Sequence, residues 1–538
     1  MVRAGVGGAV CARTREERGP DCPPPPPPPI IHPSPTTPTL LRDAGTEGFF
    51  SQKTLELTAD VIAPFRNQGG YHMLGRSVDK IRSPAELEAA LTACQAQRLS
   101  GLILLGGTFT NTDAAYLSEF FVSKGQPTRV IGVPCTIDGD MRSGMVETTL
   151  GFDTAVRLTS QLVGNLETDC NSAKKYVYLA RVLGRERGHV ALSVALKTNP
   201  NVLLLGEDLE ARRQTLRDVV RELADRISAR AAAGKQFGVI LLPEGVVSYI
   251  PELRALIDEI NALFAAGFSD SAKAKAELTP WSRAVLEYLP VAVQEQLFFE
   301  RESSGSAQLS QISTEQLLVE LVNKELLSRK AKGATKVSHF LLRVTPRKRF
   351  FDRSPATPFF LQAKCGNLMG FFLGYQARSA LPSNFDCTLG TALGRTAALL
   401  VAAGKTGYLA SIRGLVKPVA QWEPVGVPLV HLLTVPVSGA PVAPQAGLGG
   451  SQGPRAAIIA EPVNVRGADF REFSEKRDGW AAEELYMSPG PIQFAGATEG
   501  PNSHAARAQS NGAVATCSAG GSAALYCAHC GHSAIKTA

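Results

Sequence analysis

The amino-acid sequence predicts an α/β protein in which parallel sheets are covered by helices. Short apolar runs alternate with amphipathic segments between residues 49 and 260, which is typical of strands connected by helices. The apolar runs that end at Leu105 and Val133 stop abruptly in small or polar residues, as buried parallel strands do at the carboxyl edge of a sheet. At 538 residues with 44% apolar content, the chain is long enough for roughly two to four domains.

The individual elements follow from local patterns. Ser83 is placed as the N-cap of a helix over residues 84–94, and a longer helix with apolar residues at helical spacing lies within 309–332. The other predicted helices cover, in order, 113–121, 152–165, 188–197, 209–233 and 388–403, and residues 251–335 are predicted to be largely helical. The predicted strands end, in order, at Leu105, Val133, Val182, Leu205 and Leu242.

Three segments do not fit this alternation. Residues 1–45 contain an unbroken proline run at 23–29, which favours an extended polyproline conformation, and residues 497–538 are rich in Ala, Gly and Ser. We therefore predict a disordered tail at each end. Residues 340–368 combine a basic stretch with prolines that break any period, which favours an inserted loop. The remaining unit spans residues 46–496.

Composition and charge exclude several classes of protein. The net charge is +7, but several of the arginines lie in the N-terminal tail. Basic clusters with interleaved aromatic residues are confined to 347–353, and no apolar run reaches the length of a membrane helix, so we expect a cytoplasmic protein without a nucleic-acid or membrane partner. Cys527 and Cys530 have metal-ligand spacing, but structural zinc needs four ligands, which favours a disordered tail there.

The turn after the second strand carries two carboxylates. Asp138 and Asp140 lie two residues apart, and in an extended segment this spacing points both side chains into one cleft. A carboxylate at that place could accept a proton from a substrate hydroxyl, while its neighbour could bind a metal or position donors. Asp-Gly-Asp is equally good turn chemistry, so the motif alone leaves both interpretations open.

Other strand ends carry glycine or polar side chains. Gly106 and Gly107 could let backbone N–H groups approach a phosphate, although Gly-Gly is often only a tight turn. Gly184 and Arg185 follow another strand, and Glu244 follows a third. An arginine suits a phosphate and a glutamate suits a sugar hydroxyl. Each residue taken separately is explained as a surface residue, but their recurrence at strand ends favours a site.

A phenol and a guanidinium follow the apolar run near residue 370. Tyr375 and Arg378 lie three residues apart. Together they could clamp a phosphomonoester. The alternative is a buried tyrosine beside a surface arginine.

These residues belong to a longer series of motifs that resembles the phosphofructokinase family, specifically its long pyrophosphate-dependent type. The motifs follow the family's order and lie at residues 64–76, 136–140, 151–154, 183–185, 243–245, 280–282, 306–311, 374–386 and 489–494. The resemblance spans residues 48–496, except for the inserted loop at 340–368 and a weak stretch at 440–456. It implies a two-lobed α/β fold and a glycolytic reaction, the transfer of a phosphoryl group from pyrophosphate to the 1-hydroxyl of fructose 6-phosphate, with ATP as the less expected donor.

The resemblance also implies roles for individual residues. Asp138 would take the hydroxyl proton, and Gly106 and Gly107 would form the phosphate-donor loop. The residues implied to line the sugar phosphate, some of them from a neighbouring subunit, are Thr136, Asp140, Lys175, Tyr176, Leu183, Gly184, Arg185, Glu244, Tyr375 and Arg378. Magnesium, allosteric control and assembly into homo- or hetero-oligomers of phosphofructokinase subunits are implied as well.

The sequence departs from the family's pattern on the donor side. Catalytic members carry a magnesium-organising aspartate where this chain has Thr108, and Phe109 follows it. Pyrophosphate users carry a lysine at the position of Cys135, and the family's N-terminal glycine-rich loop has no likeness in residues 1–48. Losing one such charge contact costs on the order of several kcal/mol of transition-state stabilisation. Since regulatory α-type subunits show this pattern, two hypotheses stay open: an enzyme in its own right, or a catalytically weak subunit that binds fructose phosphates and controls a catalytic partner.

Overall fold

The computed structural model describes residues 49–51, 54–70, 73, 81–268, 271–299, 311–333, 368–435 and 456–490. Beyond these ranges it gives only the backbone of short antiparallel pairs, which join Leu40–Arg42 to Thr54–Glu56, Val344–Pro346 to Ala363–Cys365, and Ala524–Tyr526 to Ser533–Ile535. Apart from these pairs, the tails predicted to be disordered, the loop expected at 340–368, and Cys527 and Cys530 lie outside the described residues.

Two separate four-stranded sheets form the centre of the fold. The strands are, in chain order, β1 (Gly101–Gly106), β2 (Arg129–Pro134), β3 (Val177–Val182), β4 (Val202–Leu203), β5 (Gly238–Pro243), β6 (Leu368–Leu373), β7 (Tyr408–Arg413) and β8 (Glu423–Pro428). Sheet one has the order β8-β7-β2-β1, and sheet two has the order β6-β3-β5-β4. Every pairing is parallel except that of β7 with β8. The predicted α/β fold with parallel sheets is confirmed, with one antiparallel edge strand added.

Helices connect and cover the strands. They are α1 (Pro84–Ala96), α2 (Thr108–Ser123), α3 (Phe152–Ala173), α4 (His189–Thr198), α5 (Gly206–Ala211), α6 (Leu216–Ala232), α7 (Pro251–Ala265), α8 (Ser271–Glu277), α9 (Pro280–Tyr288), α10 (Val291–Phe299), α11 (Thr314–Ala331), α12 (Tyr375–Arg378), α13 (Asn384–Ala402) and α14 (Ala468–Ala482). The helical character predicted for 251–335 is therefore confirmed in α7–α11, and Ser83 caps α1 as predicted.

Some helix boundaries differ from the sequence prediction for local reasons. The single helix predicted over 209–233 is wrong, because Arg213 adopts a left-handed φ of 51° and Thr215 starts α6 with a capping box to Asp218. Helix α2 begins five residues earlier than predicted, directly after the N-cap Gly107. Helix α13 begins at Asn384 because the Ser383 hydroxyl accepts the Asp386 backbone N–H.

Two crossings between the sheets connect the strands β1–β8, and α14 later brings the chain back to sheet two. It leaves sheet one after β2 and enters sheet two through α3, and it returns from sheet two to sheet one through α13. Apolar residues of α1 and α2 cover one face of sheet one, and those of α13 cover the other. One face of sheet two packs on α6, α7 and α11, and its other face packs on α3 and α4. The two crossings bring the carboxyl ends of both sheets to the same region.

Among the residues that the structure describes, none of the helices is both long enough and apolar enough to span a membrane.

Candidate active site

The turn that follows β2 orients Asp138 by hydrogen bonds to Thr136. The Thr136 hydroxyl lies 3.3 Å from the Asp138 carboxylate, and the Asp138 backbone N–H donates to that hydroxyl at 3.2 Å. Gly139 follows with a φ of 65°, which glycine adopts without strain. Asp138 is therefore half-buried and fixed at the carboxyl end of sheet one.

The turns after β3 and β5 interlock at the carboxyl edge of sheet two. The Gly245 backbone N–H donates to the Gly184 carbonyl at 3.0 Å. A Cβ atom on Gly245 would lie only 1.9 Å from the carbonyl oxygen of Arg185, so any side chain at this position is excluded. The close approach sets the backbone of Arg185 beside that of Glu244, the residue that directly follows β5.

Carboxyl groups from the two sheets influence one another across the site. Glu244 is 2% exposed, and burial together with the nearby Asp138 raises its pKa to about 7. Burial and Asp138 likewise raise the pKa of Asp140 to about 7, while Arg185 opposes both shifts. The structure therefore brings Asp138, Asp140, Arg185 and Glu244 together. Carboxyl groups with a pKa near neutrality are suited to proton exchange.

An apolar cluster lies beneath these polar groups. Leu183 is buried and packs with Ile137 of the Asp138 turn and with Ala377 of α12. Phe372, in the edge strand β6, contacts the same cluster. Leu183 is therefore a packing residue, and its side chain holds together three of the turns that form the site.

Helix α12 presents Tyr375 and Arg378 at the end of β6. Tyr375 is 55% exposed, and the Arg378 guanidinium lies 4.9 Å from the centre of its ring. Phe372 packs edge-on against Tyr375 with ring centres 5.6 Å apart. Since Phe372 also contacts the apolar cluster, the predicted phenol and guanidinium pair borders the same site.

Lys175 and Tyr176 lie at the opposite edge of sheet two. Both precede β3, whereas Gly184 and Arg185 follow it. At about 3.3 Å per residue, the strand separates the two ends by roughly 20 Å. The Lys175 ammonium instead lies 5.0 Å from the ring centre of Tyr176. Within this chain the two residues do not join the site, and their contact with a neighbouring subunit's sugar phosphate stays a prediction.

The turn that was predicted to bind the phosphate donor lies against the Asp138 turn. The Cys135 backbone N–H donates to the Gly106 carbonyl at 2.9 Å. A Cβ atom on Gly107 would lie 3.4 Å from the Cβ atom of Thr136, and Gly107 is the N-cap of α2. The donor-side and acceptor-side turns are thus neighbours, because β1 pairs with β2.

The Arg82 side chain packs over the first turn of α2. Phe109 has the Arg82 guanidinium 5.4 Å from its ring centre. The Arg82 Nε lies 2.9 Å from the Asp113 carboxylate, so the carboxylate of α2 nearest to the turn is already ion-paired. Thr108 is 7% exposed. The donor turn is therefore lined by a hydroxyl, a phenyl ring and a closed ion pair.

These residues do not fit a magnesium ion at the donor turn. Magnesium is held by carboxylates and substrate phosphates, whereas Thr108 and Phe109 provide no carboxylate. Over the described ranges of the chain, no group of three or more His, Cys, Asp or Glu side chains could hold a metal ion. Burial, reinforced by Asp386, raises the pKa of the Cys135 thiol to about 11, so this position carries no charge at neutral pH.

Arg181 contributes to the site and was missed from the sequence. Its Nε lies 2.6 Å from the Glu315 carboxylate, with both side chains buried, and its guanidinium lies 4.0 Å from the ring centre of Phe372. Its charge also opposes the rise in the pKa of Glu244. A lone arginine within an apolar strand gave no signal, since its partner lies on α11, far along the chain.

A C-terminal segment also contacts the site and was missed. The Glu461 backbone N–H donates to the Asp140 carbonyl at 2.8 Å, and the His189 Nε2 lies 2.8 Å from the Glu461 carbonyl. Arg187 donates to the Ala460 carbonyl at 2.9 Å. The segment thereby ties the Asp138 turn of sheet one to residues that follow β3 of sheet two.

Comparisons with known proteins agree on one family. A family model described as phosphofructokinase matches residues 37–276. The chain is 40% identical over 458 residues to the pyrophosphate–fructose 6-phosphate 1-phosphotransferase subunit alpha of Solanum tuberosum, covering 84% of this chain and 68% of that protein. It is 38% identical to subunit beta from the same organism, and the match covers 84% of this chain and 73% of that protein. It is 35% identical to the pyrophosphate–fructose 6-phosphate 1-phosphotransferase of Porphyromonas gingivalis, and the match covers 84% of this chain and 77% of that protein.

Proposed function

The chain belongs to the phosphofructokinase family, and we propose that it serves the transfer of a phosphoryl group from pyrophosphate to the 1-hydroxyl of fructose 6-phosphate. The products are fructose 1,6-bisphosphate and inorganic phosphate, as in a glycolytic step. The relatives named as subunits alpha and beta and the enzyme of Porphyromonas gingivalis carry pyrophosphate and fructose 6-phosphate in their names.

One observation carries this proposal: Asp138 is oriented by Thr136 at the point where the carboxyl edges of both sheets meet. In the proposed reaction the Asp138 carboxylate takes the proton of the 1-hydroxyl. The freed oxygen forms a bond to the phosphorus atom, and the bond from that phosphorus to the bridging oxygen breaks. The electron pair leaves with phosphate, so the reaction depends mainly on positioning and charge.

The sugar phosphate would be held by groups of sheet two. Glu244 Oε2 is buried and has no hydrogen-bond partner among the described side chains and backbone groups. It can therefore accept a hydrogen bond from a sugar hydroxyl. Arg378 beside Tyr375 provides an exposed cation for the 6-phosphate. Arg185 is exposed at the end of β3 and would balance charge between sugar and phosphoryl group.

A second candidate function follows from the donor turn. The missing carboxylate at Thr108, the closed pair of Phe109 with Arg82 and the neutral thiol of Cys135 all weaken the donor half of the reaction. In this alternative the chain binds fructose phosphates and controls a catalytic subunit of the same family, and the assembly is a hetero-oligomer. Magnesium has no carboxylate ligand at the donor turn, so no step of either proposal passes through a metal held there.

A two-donor activity assay separates the candidates. The full chain is supplied with fructose 6-phosphate, magnesium and either pyrophosphate or ATP, alone and together with a catalytic subunit of the family. Turnover by the chain alone with pyrophosphate, abolished in Asp138→Asn, supports the enzyme. Binding of fructose 6-phosphate without turnover, combined with a changed rate of the catalytic subunit, supports the regulatory subunit. A chain that neither binds fructose 6-phosphate nor turns it over contradicts both.

A further inference from the structure

The N-termini of α3 and α13 meet close to the Asp138 turn. Helix α3 has Gly151 as its N-cap, which has no side chain to satisfy the first backbone N–H groups. Asp386, in the first turn of α13, replaces that cap from outside. Its Oδ1 accepts the Gly151 N–H at 3.0 Å, and its Oδ2 accepts the Thr154 N–H at 2.9 Å. The Thr154 hydroxyl also donates to Oδ2.

The capping is reciprocal. The Ser383 hydroxyl, the N-cap of α13, donates to the Asp153 carboxylate in the first turn of α3 at 2.6 Å. The Ser383 backbone N–H donates to the Thr154 hydroxyl at 3.0 Å, and the Asp386 backbone N–H donates to the Ser383 hydroxyl at 3.2 Å. Asp386 of α13 therefore accepts backbone N–H groups of α3 directly, whereas Asp153 of α3 accepts the hydroxyl of Ser383, the residue that caps α13.

The environment of Asp386 explains why a carboxylate is required there. Its side chain is 3% exposed, and an unpaired charge so deeply buried would be very unfavourable. Three donors and the positive ends of two helix dipoles compensate this charge. Burial and the neighbouring Asp153 raise the pKa of Asp386 to about 6, so that it is mostly ionised at neutral pH.

The start of α3 and the residues just before it support the Asp138 turn. The Thr149 hydroxyl donates to the Thr136 carbonyl at 2.8 Å. Gly139 lies so close to the Phe152 ring that a Cβ atom would be 2.3 Å from it. Residues 149–152 thus fix both sides of Asp138, and their own position depends on the bonds that Asp386 accepts.

The same contact joins the two lobes. Helix α13 packs on sheet one through Leu389 and Leu393, and α3 packs on sheet two through Val156 and Val163. Asp386 therefore connects the lobes beneath the place where Asp138 and Glu244 approach each other.

We propose that Asp386 is a positioning residue for the acceptor reaction: by capping α3 it fixes the Asp138 turn and the separation of the two lobes. This inference rests on the proposed function, since it assigns Asp386 to the orientation of the base. The conservative change Asp386→Asn retains the shape and removes the charge and one acceptor. Asp218→Asn is the control, because Asp218 is likewise the third residue of its helix and its carboxylate caps only α6, at an exposed position.

Amide hydrogen exchange of the full chain tests the structural half without any ligand. In Asp386→Asn we expect faster exchange in residues 149–154 and also in residues 136–140, at least fivefold over the wild type. Asp218→Asn should leave both segments unchanged. Faster exchange at 149–154 with unchanged exchange at 136–140 would overturn the proposal, because the cap would then be purely local. If Asp386→Asn does not fold, Ser383→Ala is measured in the same way, because it removes both the bond to Asp153 and the side-chain N-cap of α13 while the Asp386 carboxylate is kept.

A double-mutant cycle tests the functional half. Turnover is measured for the chain, alone or assembled with a catalytic subunit, as wild type, Asp138→Asn, Asp386→Asn and the double variant. If Asp386 acts through Asp138, the double variant is no slower than Asp138→Asn within about twofold. Losses that multiply would refute the assignment. A wild type without fructose 6-phosphate binding would contradict the proposed function while the exchange result would still decide the role of the cap.

Discussion

Glu167 should make this protein less stable as the pH rises through neutrality. The residue lies in α3 and is 1% exposed. Burial raises its pKa to about 9, and the Thr198 hydroxyl offsets only part of this shift. The folded chain therefore keeps a proton that the unfolded chain releases above a pKa of about 4.3. Replacement by glutamine keeps the shape of the side chain and removes the proton equilibrium.

The size of the effect follows from linkage. Between the unfolded pKa and the folded pKa, the folded state binds one more proton, so the free energy of unfolding falls with rising pH. The slope approaches about 1.4 kcal/mol per pH unit for one proton. From pH 6 to pH 8 the wild type should lose up to about 2.7 kcal/mol relative to Glu167→Gln.

Denaturant unfolding at pH 6, 7 and 8 measures this difference. Comparing the wild type with Glu167→Gln at each pH cancels the other titrating groups, and Glu475→Gln, at an exposed site of α14, serves as the control. The difference between wild type and Glu167→Gln should grow with pH in favour of the variant. A constant difference across the three pH values would refute the reasoning, because Glu167 would then not hold a proton in the folded state.

Further predictions concern the two halves of the site. Thr108→Asp combined with Phe109→Gly should create or strengthen pyrophosphate–magnesium binding in calorimetry, since a carboxylate appears and the ring leaves the turn; unchanged heats would argue against the assignment of the donor turn. The affinity for fructose 6-phosphate should fall below about pH 7 as Glu244 gains a proton and loses acceptor capacity, whereas Glu244→Gln should show a flat pH profile; a wild-type profile without this decline speaks against Glu244 as a ligand. Glu315→Gln should lower the free energy of unfolding by about 3–5 kcal/mol, because it leaves Arg181 buried without its counter-charge; a loss below about 1 kcal/mol in denaturant unfolding would show that Arg181 is otherwise compensated.

The parts of the site that are local in sequence could be predicted, and those that depend on distant contacts could not. Glu244 directly follows an apolar run and Asp138 lies four residues after another, so their place at a carboxyl edge was evident from the chain itself. The positions of Lys175 and Tyr176 were also readable, since residues that precede a parallel strand lie at its opposite edge. The resemblance to the family had implied that some of the residues that line the sugar phosphate come from a neighbouring subunit, without saying which ones.

Other features depend on pairs of residues that a single sequence does not connect. The contact of Asp386 with Gly151 and Thr154 joins helices of different lobes. The break before α6 was missed for another reason. Arg213 adopts a left-handed conformation although it is neither glycine nor asparagine. Neither the residue type nor the periodicity of the sequence therefore predicted the break.

Calorimetric titration of the full chain with fructose 6-phosphate most directly tests the central claim, that the chain binds this sugar phosphate. The account predicts saturable binding that weakens at least tenfold in Arg378→Ala and in Arg185→Ala. Lys476→Ala is the control, since Lys476 pairs with Glu472 on the exposed face of α14, and it should bind like the wild type. The absence of binding, or binding that is insensitive to both arginines, would contradict the account.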